Sequence, residues 1–125
     1  MARILLIEDH ERLREMLTTA LTAAGHSVVG AEDGDVGLDA FQSHGPFDVV
    51  ITDIVMPNRE GIGTILALKQ VSDVPIIAMS GGGRSVGSDD ALDSARLLGA
   101  TTTISKPFAL REMIDMIDSI GKMAA

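Results

Sequence analysis

The sequence has no cysteine, no tryptophan and no tyrosine, and its aromatic residues are limited to Phe41, Phe47 and Phe108. Without thiols, disulfides and thiolate-held metals are excluded. Three rings leave little surface on which exposed bases could stack. Basic residues are scarce as well, 10 Lys and Arg against 18 Asp and Glu, for a formal net charge of −8. Phosphate backbones are neutralised by clustered cations, so this balance predicts protein partners or a bound cation and no nucleic-acid partner. No apolar stretch approaches the roughly 20 residues that cross a bilayer. The start, Met1-Ala2-Arg3, runs straight into a strand-like segment without a signal-peptide pattern. A cytoplasmic protein with no membrane partner is expected. What is present is apolar residue in quantity: at 46% of 125 residues, one domain spanning 1–125 can bury a core of its own.

Five short apolar runs recur: Ile4–Ile7, Ser27–Ala31, Asp48–Thr52, Pro75–Met79 and Thr101–Ser105. The first, third and fourth are nearly continuous rather than alternating, which suits parallel strands covered on both faces. Helix-like segments lie between them. In the first, Leu13, Met16, Leu17, Ala20, Leu21 and Ala24 share helical spacing, with Gly25 as the stop. The second, over about Val36–Gln42, is short and carries Gly37. The third, Gly61–Gln70, places Ile62, Ile65, Leu66 and Lys69 on one side. A fourth begins near Ser88, a suitable N-cap before Asp89 and Asp90, and ends at Gly99. The last, from Ala109 to about Ile120, stacks Leu110, Met113, Ile114, Ile117 and Ile120, so its methionines read as core filler. A β-α unit repeated five times defines an α/β domain with a five-stranded parallel sheet, because each parallel connection needs a crossover helix.

The ends of the runs carry the chemistry. Ile4–Ile7 is followed by Glu8-Asp9, Val49–Thr52 by Asp53, Pro75–Met79 by Ser80, and Thr101–Ser105 by Lys106-Pro107. In a parallel sheet the carboxyl ends share one edge, and ligands bind there where the strand order reverses. Three carboxylates brought together repel one another, and in a partly dehydrated cleft one is driven to protonate unless a cation intervenes. A hard divalent ion with oxygen ligands fits, Mg²⁺ best, since it is held by one or two carboxylates together with waters and a phosphate oxygen. Lys106 and Ser80 then stand as donors to phosphoryl oxygens, and a carboxylate beside them is apparatus for an aspartyl-phosphate. Asp33 and Glu32 also follow a strand but read as loop residues. Gly81-Gly82-Gly83 lacks the Gly-Lys-Ser/Thr ending of a phosphate loop and reads as a strand-to-helix connection. His10, His26 and His44 have no metal-ligand spacing, although His10 adjoins the acidic pair.

Glu8-Asp9, Asp53 before Met56-Pro57, Ser80-Gly81 and Lys106-Pro107-Phe108, in this order and at these distances, resemble the receiver domain of two-component response regulators. The resemblance covers essentially the whole chain. It implies a (βα)5 flavodoxin-like, CheY-like fold of strand order 2-1-3-4-5, a single receiver domain over 1–125, and no output domain. It implies that Asp53 accepts a phosphoryl group from a histidine kinase or histidine phosphotransfer protein and then switches binding to a downstream protein target. By the same resemblance Asp9 and Asp53 bind Mg²⁺ directly, Glu8 mainly through water, and the Val55 backbone carbonyl completes the metal's protein ligands. Ser80 hydrogen-bonds the phosphoryl group, Lys106 pairs with it, and Pro107 matches the family's cis-proline junction. Such a domain catalyses its own phosphorylation and dephosphorylation without being an enzyme of turnover. Thr103 departs from the family pattern, which often has Tyr or Phe three residues before the lysine. That departure predicts coupling through the Gly81–Ser88 backbone instead of a swinging ring.

Two other functions share parts of this pattern. A phosphohydrolase passing through an aspartyl-phosphate needs a second acid two residues after the nucleophile, where this sequence has Val55. A flavin- or nucleotide-binding domain of the same topology would present its phosphate to an acidic cleft and lacks the glycine fingerprint.

Overall fold

The computed structural model describes residues 1–54, 61–80, 99–106 and 108–124. Five strands, β1 (Arg3–Ile7), β2 (Ser27–Ala31), β3 (Val49–Asp53), β4 (Ile76–Ser80) and β5 (Thr102–Ser105), form one parallel sheet in the order β2-β1-β3-β4-β5. Helices α1 (Glu11–Ala23), α2 (Gly34–His44) and α3 (Gly61–Val71) and the last helix, Leu110–Ala124, cover it. The expected strand order holds. The helix anticipated from Ser88 lies outside the described residues up to its closing Gly99, and so do the Gly81–Ser88 segment, Val55, Pro107 and Met56-Pro57.

The central strands are apolar throughout because both faces are covered. Leu5, Ile7, Val50, Ile76 and Ala78 point to the side of α2 and α3, where Ala40, Ile65 and Leu68 complete one core. Ile4, Leu6, Val49, Ile51, Ile77 and Met79 point the other way, onto Leu17 and Leu21 of α1 and Met113, Ile117 and Ile120 of the last helix. This is the period-two alternation of a pleated strand with both phases apolar. The edge strands β2 and β5 are less completely buried.

Local chemistry sets the helix ends. The His10 side chain caps α1, its Nδ1 accepting from the Leu13 N–H at 3.3 Å, and Gly25, at φ +99°, takes the left-handed turn that closes the helix. Asp33 caps α2 by accepting from the Val36 N–H at 2.9 Å. With this cap α2 runs from Gly34 to His44, longer at both ends than the sequence indicates. Gly37 lies so close to Ile7 that a Cβ there would overlap the isoleucine side chain.

Two apolar faces differ from expectation. Met16 is about half exposed, because the row Leu13, Leu17 and Leu21 turns toward the sheet and leaves Met16 on its flank. In α3 the buried face is Thr64, Ile65 and Leu68, with Leu66 turned outward.

Candidate functional site at the carboxyl edge

Strand order reverses between the adjacent strands β1 and β3, and this is where the acids meet. Ile7 pairs with Thr52, which brings Glu8 and Asp53, the next residue of each chain segment, to one level. One carboxylate oxygen from each of Glu8, Asp9 and Asp53 lies within 4.8 Å of the other two. Glu8 is fully buried and Asp53 nearly so, whereas Asp9 is exposed.

Lys106 reaches this cluster from the end of β5. Its Nζ donates to Glu8 Oε1 at 2.6 Å and to Asp53 Oδ2 at 2.9 Å, so one ammonium bridges the two buried acids. The Lys106 backbone is fixed by its N–H, which donates to the Ser80 carbonyl at 2.9 Å. Ser80 is the last residue of β4, buried beside this edge. The second Glu8 oxygen, Oε2, accepts from the His10 N–H at 3.0 Å. Of the six residues read from the sequence as site residues, Glu8, Asp9, Asp53 and Lys106 converge directly, Ser80 stands at the same edge, and Val55 lies outside the described residues.

The Glu8 pKa is raised from 4.5 to about 7, and burial is the largest influence. The hydrogen bonds from Lys106 and His10 oppose that rise, and the Asp53 charge adds to it. Repulsion among the acids is thus real but secondary to desolvation. Burial also works against the Lys106 ammonium, yet its hydrogen bonds to Glu8 and Asp53, with their charges, outweigh that and raise its pKa.

The donor set is made of carboxylate oxygens, with neither thiolate nor imidazole among the clustered atoms, and this is the chemistry of a hard cation such as Mg²⁺. That an ammonium already bridges Glu8 and Asp53 shows that the pocket accommodates positive charge. The residues present therefore fit the ion.

Sequence reasoning missed Arg14. Its Nη1 donates to the Glu8 carbonyl at 2.7 Å from the first turns of α1. No sequence signal marks it, since an arginine on an amphipathic helix is ordinarily a solvated side chain. His10, next to the acidic pair in sequence, acts through its backbone and as the cap of α1.

Residues 4–118 match the response regulator receiver domain, and the chain belongs to that family. It is 32% identical over 120 residues to the transcriptional regulatory protein CpxR of Escherichia coli, covering 96% of this chain and 49% of that protein. It is 34% identical over 119 residues to the probable transcriptional regulator ycf27 of Cyanidium caldarium, covering 94% of this chain and 45% of that protein. Among solved structures, the chemotaxis response regulator CheY4 of Vibrio cholerae superposes with a TM-score of 0.82 at 28% identity, covering 96% of this chain and 98% of that one. A response regulator receiver domain protein from Clostridium thermocellum gives 0.89 at 25% identity over all of both chains.

The chain spans about half the length of the curated relatives it matches. Those relatives are named as transcriptional regulators, which overturns the expectation that nucleic acid has no place among the partners. The physical reason is that a net charge of −8 describes the surface of this chain, and a receiver can govern a nucleic-acid contact made elsewhere in a regulator. Among the described residues no helix is long and apolar enough to cross a membrane.

Proposed function

We propose that this receiver is switched by phosphorylation of Asp53, with Glu8, Asp9, Asp53 and the Val55 carbonyl as the residues that hold Mg²⁺. The observation that carries this reading is the bridge of one ammonium between two buried carboxylates at the strand-order reversal. Asp53 lies at the end of the central strand β3, and the Lys106 ammonium beside it is already placed to meet negative charge arriving there.

The donor in this reading is a phosphohistidine of a histidine kinase or phosphotransfer protein. A carboxylate oxygen of Asp53 forms the new bond to phosphorus as the P–N bond breaks, and its electron pair leaves on the imidazole nitrogen. Bound Mg²⁺ supplies charge neutralisation at the phosphoryl oxygens. Lys106 transfers its hydrogen bond from Asp53 to a phosphoryl oxygen, and the Ser80 hydroxyl donates to another. The same residues hold the acyl-phosphate while water removes it, so the domain limits the lifetime of its own signal. The output is a change in protein–protein binding. Likeness to proteins named as transcriptional regulators supports an output that reaches gene control, and the cytoplasm as its place.

Acetyl phosphate with Mg²⁺ tests the reading. Intact mass should rise by one phosphoryl group, the gain should vanish in chelator, and Asp53→Asn should abolish it. Continued labelling of Asp53→Asn would remove the assignment.

A further inference from the structure

We propose that Arg14 is a positioning residue for the acidic pair, fixing through the Glu8 carbonyl the direction in which Glu8 and Asp9 present themselves to the cation. This inference rests on the reading of the site as a Mg²⁺-holding phosphoacceptor. The Glu8 N–H donates to the Ala31 carbonyl at 3.0 Å, the final rung between the β1 and β2 segments, and β2 ends at Ala31. The Glu8 carbonyl is taken up by a side chain of α1. Arg14 Nη1 donates to its carbonyl at 2.7 Å in a partly buried setting, where a charge-assisted bond is strong.

The peptide unit that carries the Glu8 carbonyl also carries the Asp9 N–H, and it is planar. Holding its oxygen therefore sets the plane from which the Asp9 side chain departs. Asp9 is exposed, so packing does little to direct it. Glu8 is secured at its other end, because the His10 N–H donates to its Oε2. The segment Glu8–His10 is thus closed on itself through the Glu8 carboxylate and tied to α1 through the Glu8 carbonyl.

The arginine itself is held in place. Its N–H donates to the His10 carbonyl at 2.9 Å, and the Thr18 hydroxyl donates to the Arg14 carbonyl at 2.7 Å. Its stem crosses β2 at Gly30, where a Cβ would stand 3.4 Å from Arg14 Cδ and 3.6 Å from Cγ. A side chain larger than a methyl at residue 30 would push the stem aside.

The test compares the parent with Arg14→Met, which keeps the stem and loses the donors, and Arg14→Lys, which returns one donor. Mg²⁺ affinity is followed by NMR titration. In chelator, exchange of the His10 amide and the Glu8 carbonyl shift are read together with the melting temperature. Partners that orient metal ligands are worth about ten- to a hundredfold in affinity. Arg14→Met should weaken Mg²⁺ binding about tenfold and speed His10 amide exchange, and Arg14→Lys should recover most of both. If Arg14→Met melts lower yet binds Mg²⁺ as the parent does, the arginine is structural only and the proposal is overturned. Should Arg14→Met fail to fold, Gly30→Val must weaken Mg²⁺ binding by displacing the stem, and unchanged affinity there overturns the proposal equally. A parent that binds no Mg²⁺ overturns the reading of the site, and the inference with it.

Discussion

At the amino edge of the sheet, Asp48 Oδ2 accepts from the Arg3 N–H at 2.7 Å, and the Arg3 guanidinium donates to the His44 carbonyl while lying 5.1 Å from the Phe47 ring centroid. His26 Nδ1 accepts from the Ala2 N–H at 2.9 Å. At the carboxyl edge, Lys106 bonds Glu8 and Asp53 side chain to side chain. Polar side chains at the first edge satisfy backbone groups, which a ligand cannot easily replace. Charges at the second satisfy one another out of solvent, where each depends on its partner and a ligand can take a partner's place. The first arrangement fastens the fold, and the second stores an interaction that chemistry can redirect.

The largest effect that would break this contrast comes from Lys106→Met. It leaves Glu8 and Asp53 buried without their cation, and removing one member of a buried pair costs about 3 kcal/mol. Chemical denaturation in chelator should show that loss, and Mg²⁺ should recover part of it because a cation specific to the folded state stabilises by mass action. Phosphorylation by acetyl phosphate should slow at the same time. An unchanged denaturation midpoint would mean that the lysine only covers the site.

Glu8 sharpens the contrast through pH. The folded protein keeps a proton on this carboxyl up to about 7, while in the unfolded chain it titrates near its ordinary 4.5. Between those values the folded state binds more protons, so stability must fall as pH rises, by up to about 1.4 kcal/mol per pH unit from this group. Glu8→Gln removes the titration. The difference between parent and Glu8→Gln in chelator should therefore shift against the parent as pH rises through the window, and curves that run parallel would contradict the burial of a titrating Glu8.

How much of this was legible in the sequence depended on whether one physical cause dominated. Ile4–Ile7, Val49–Thr52 and Ile76–Met79 could be read because strands covered on both faces have no polar phase. Glu8, Asp53 and Lys106 could be read because a charge that ends an apolar run is placed by the run itself. The metal-free partnership was not visible: Lys106 was expected to meet a phosphoryl group, whereas its bridge to Glu8 depends on a reach across three strands. Asp33 was hidden in the run Glu32-Asp33-Gly34-Asp35, where a cap and a loop have the same composition. Met16 and Leu66 were placed on the buried face because spacing defines a stripe without saying which flank meets the sheet. The nucleic-acid exclusion failed for a different reason, since charge on one domain says nothing of what another part of a regulator contacts.

The smallest predicted effect tests the amino edge. Asp48→Ala removes the acceptor for the Arg3 N–H, an exposed contact, and leaves the Asp48 N–H still donating to the Arg3 carbonyl at 2.8 Å. The lost bond is worth about 1 kcal/mol, because solvent can replace the carboxylate at an exposed amide. The melting temperature should fall slightly, while the Mg²⁺ affinity and the acetyl phosphate rate stay at parent values. Arg3 and Asp48 stand at the start of β1 and just before β3, the same strands whose far ends carry Glu8 and Asp53. If the two edges were mechanically coupled along those strands, loosening one would move the other. A slower phosphorylation rate in Asp48→Ala at full Mg²⁺ saturation would show such coupling, and the division between a fastened edge and a reactive one would have to be given up.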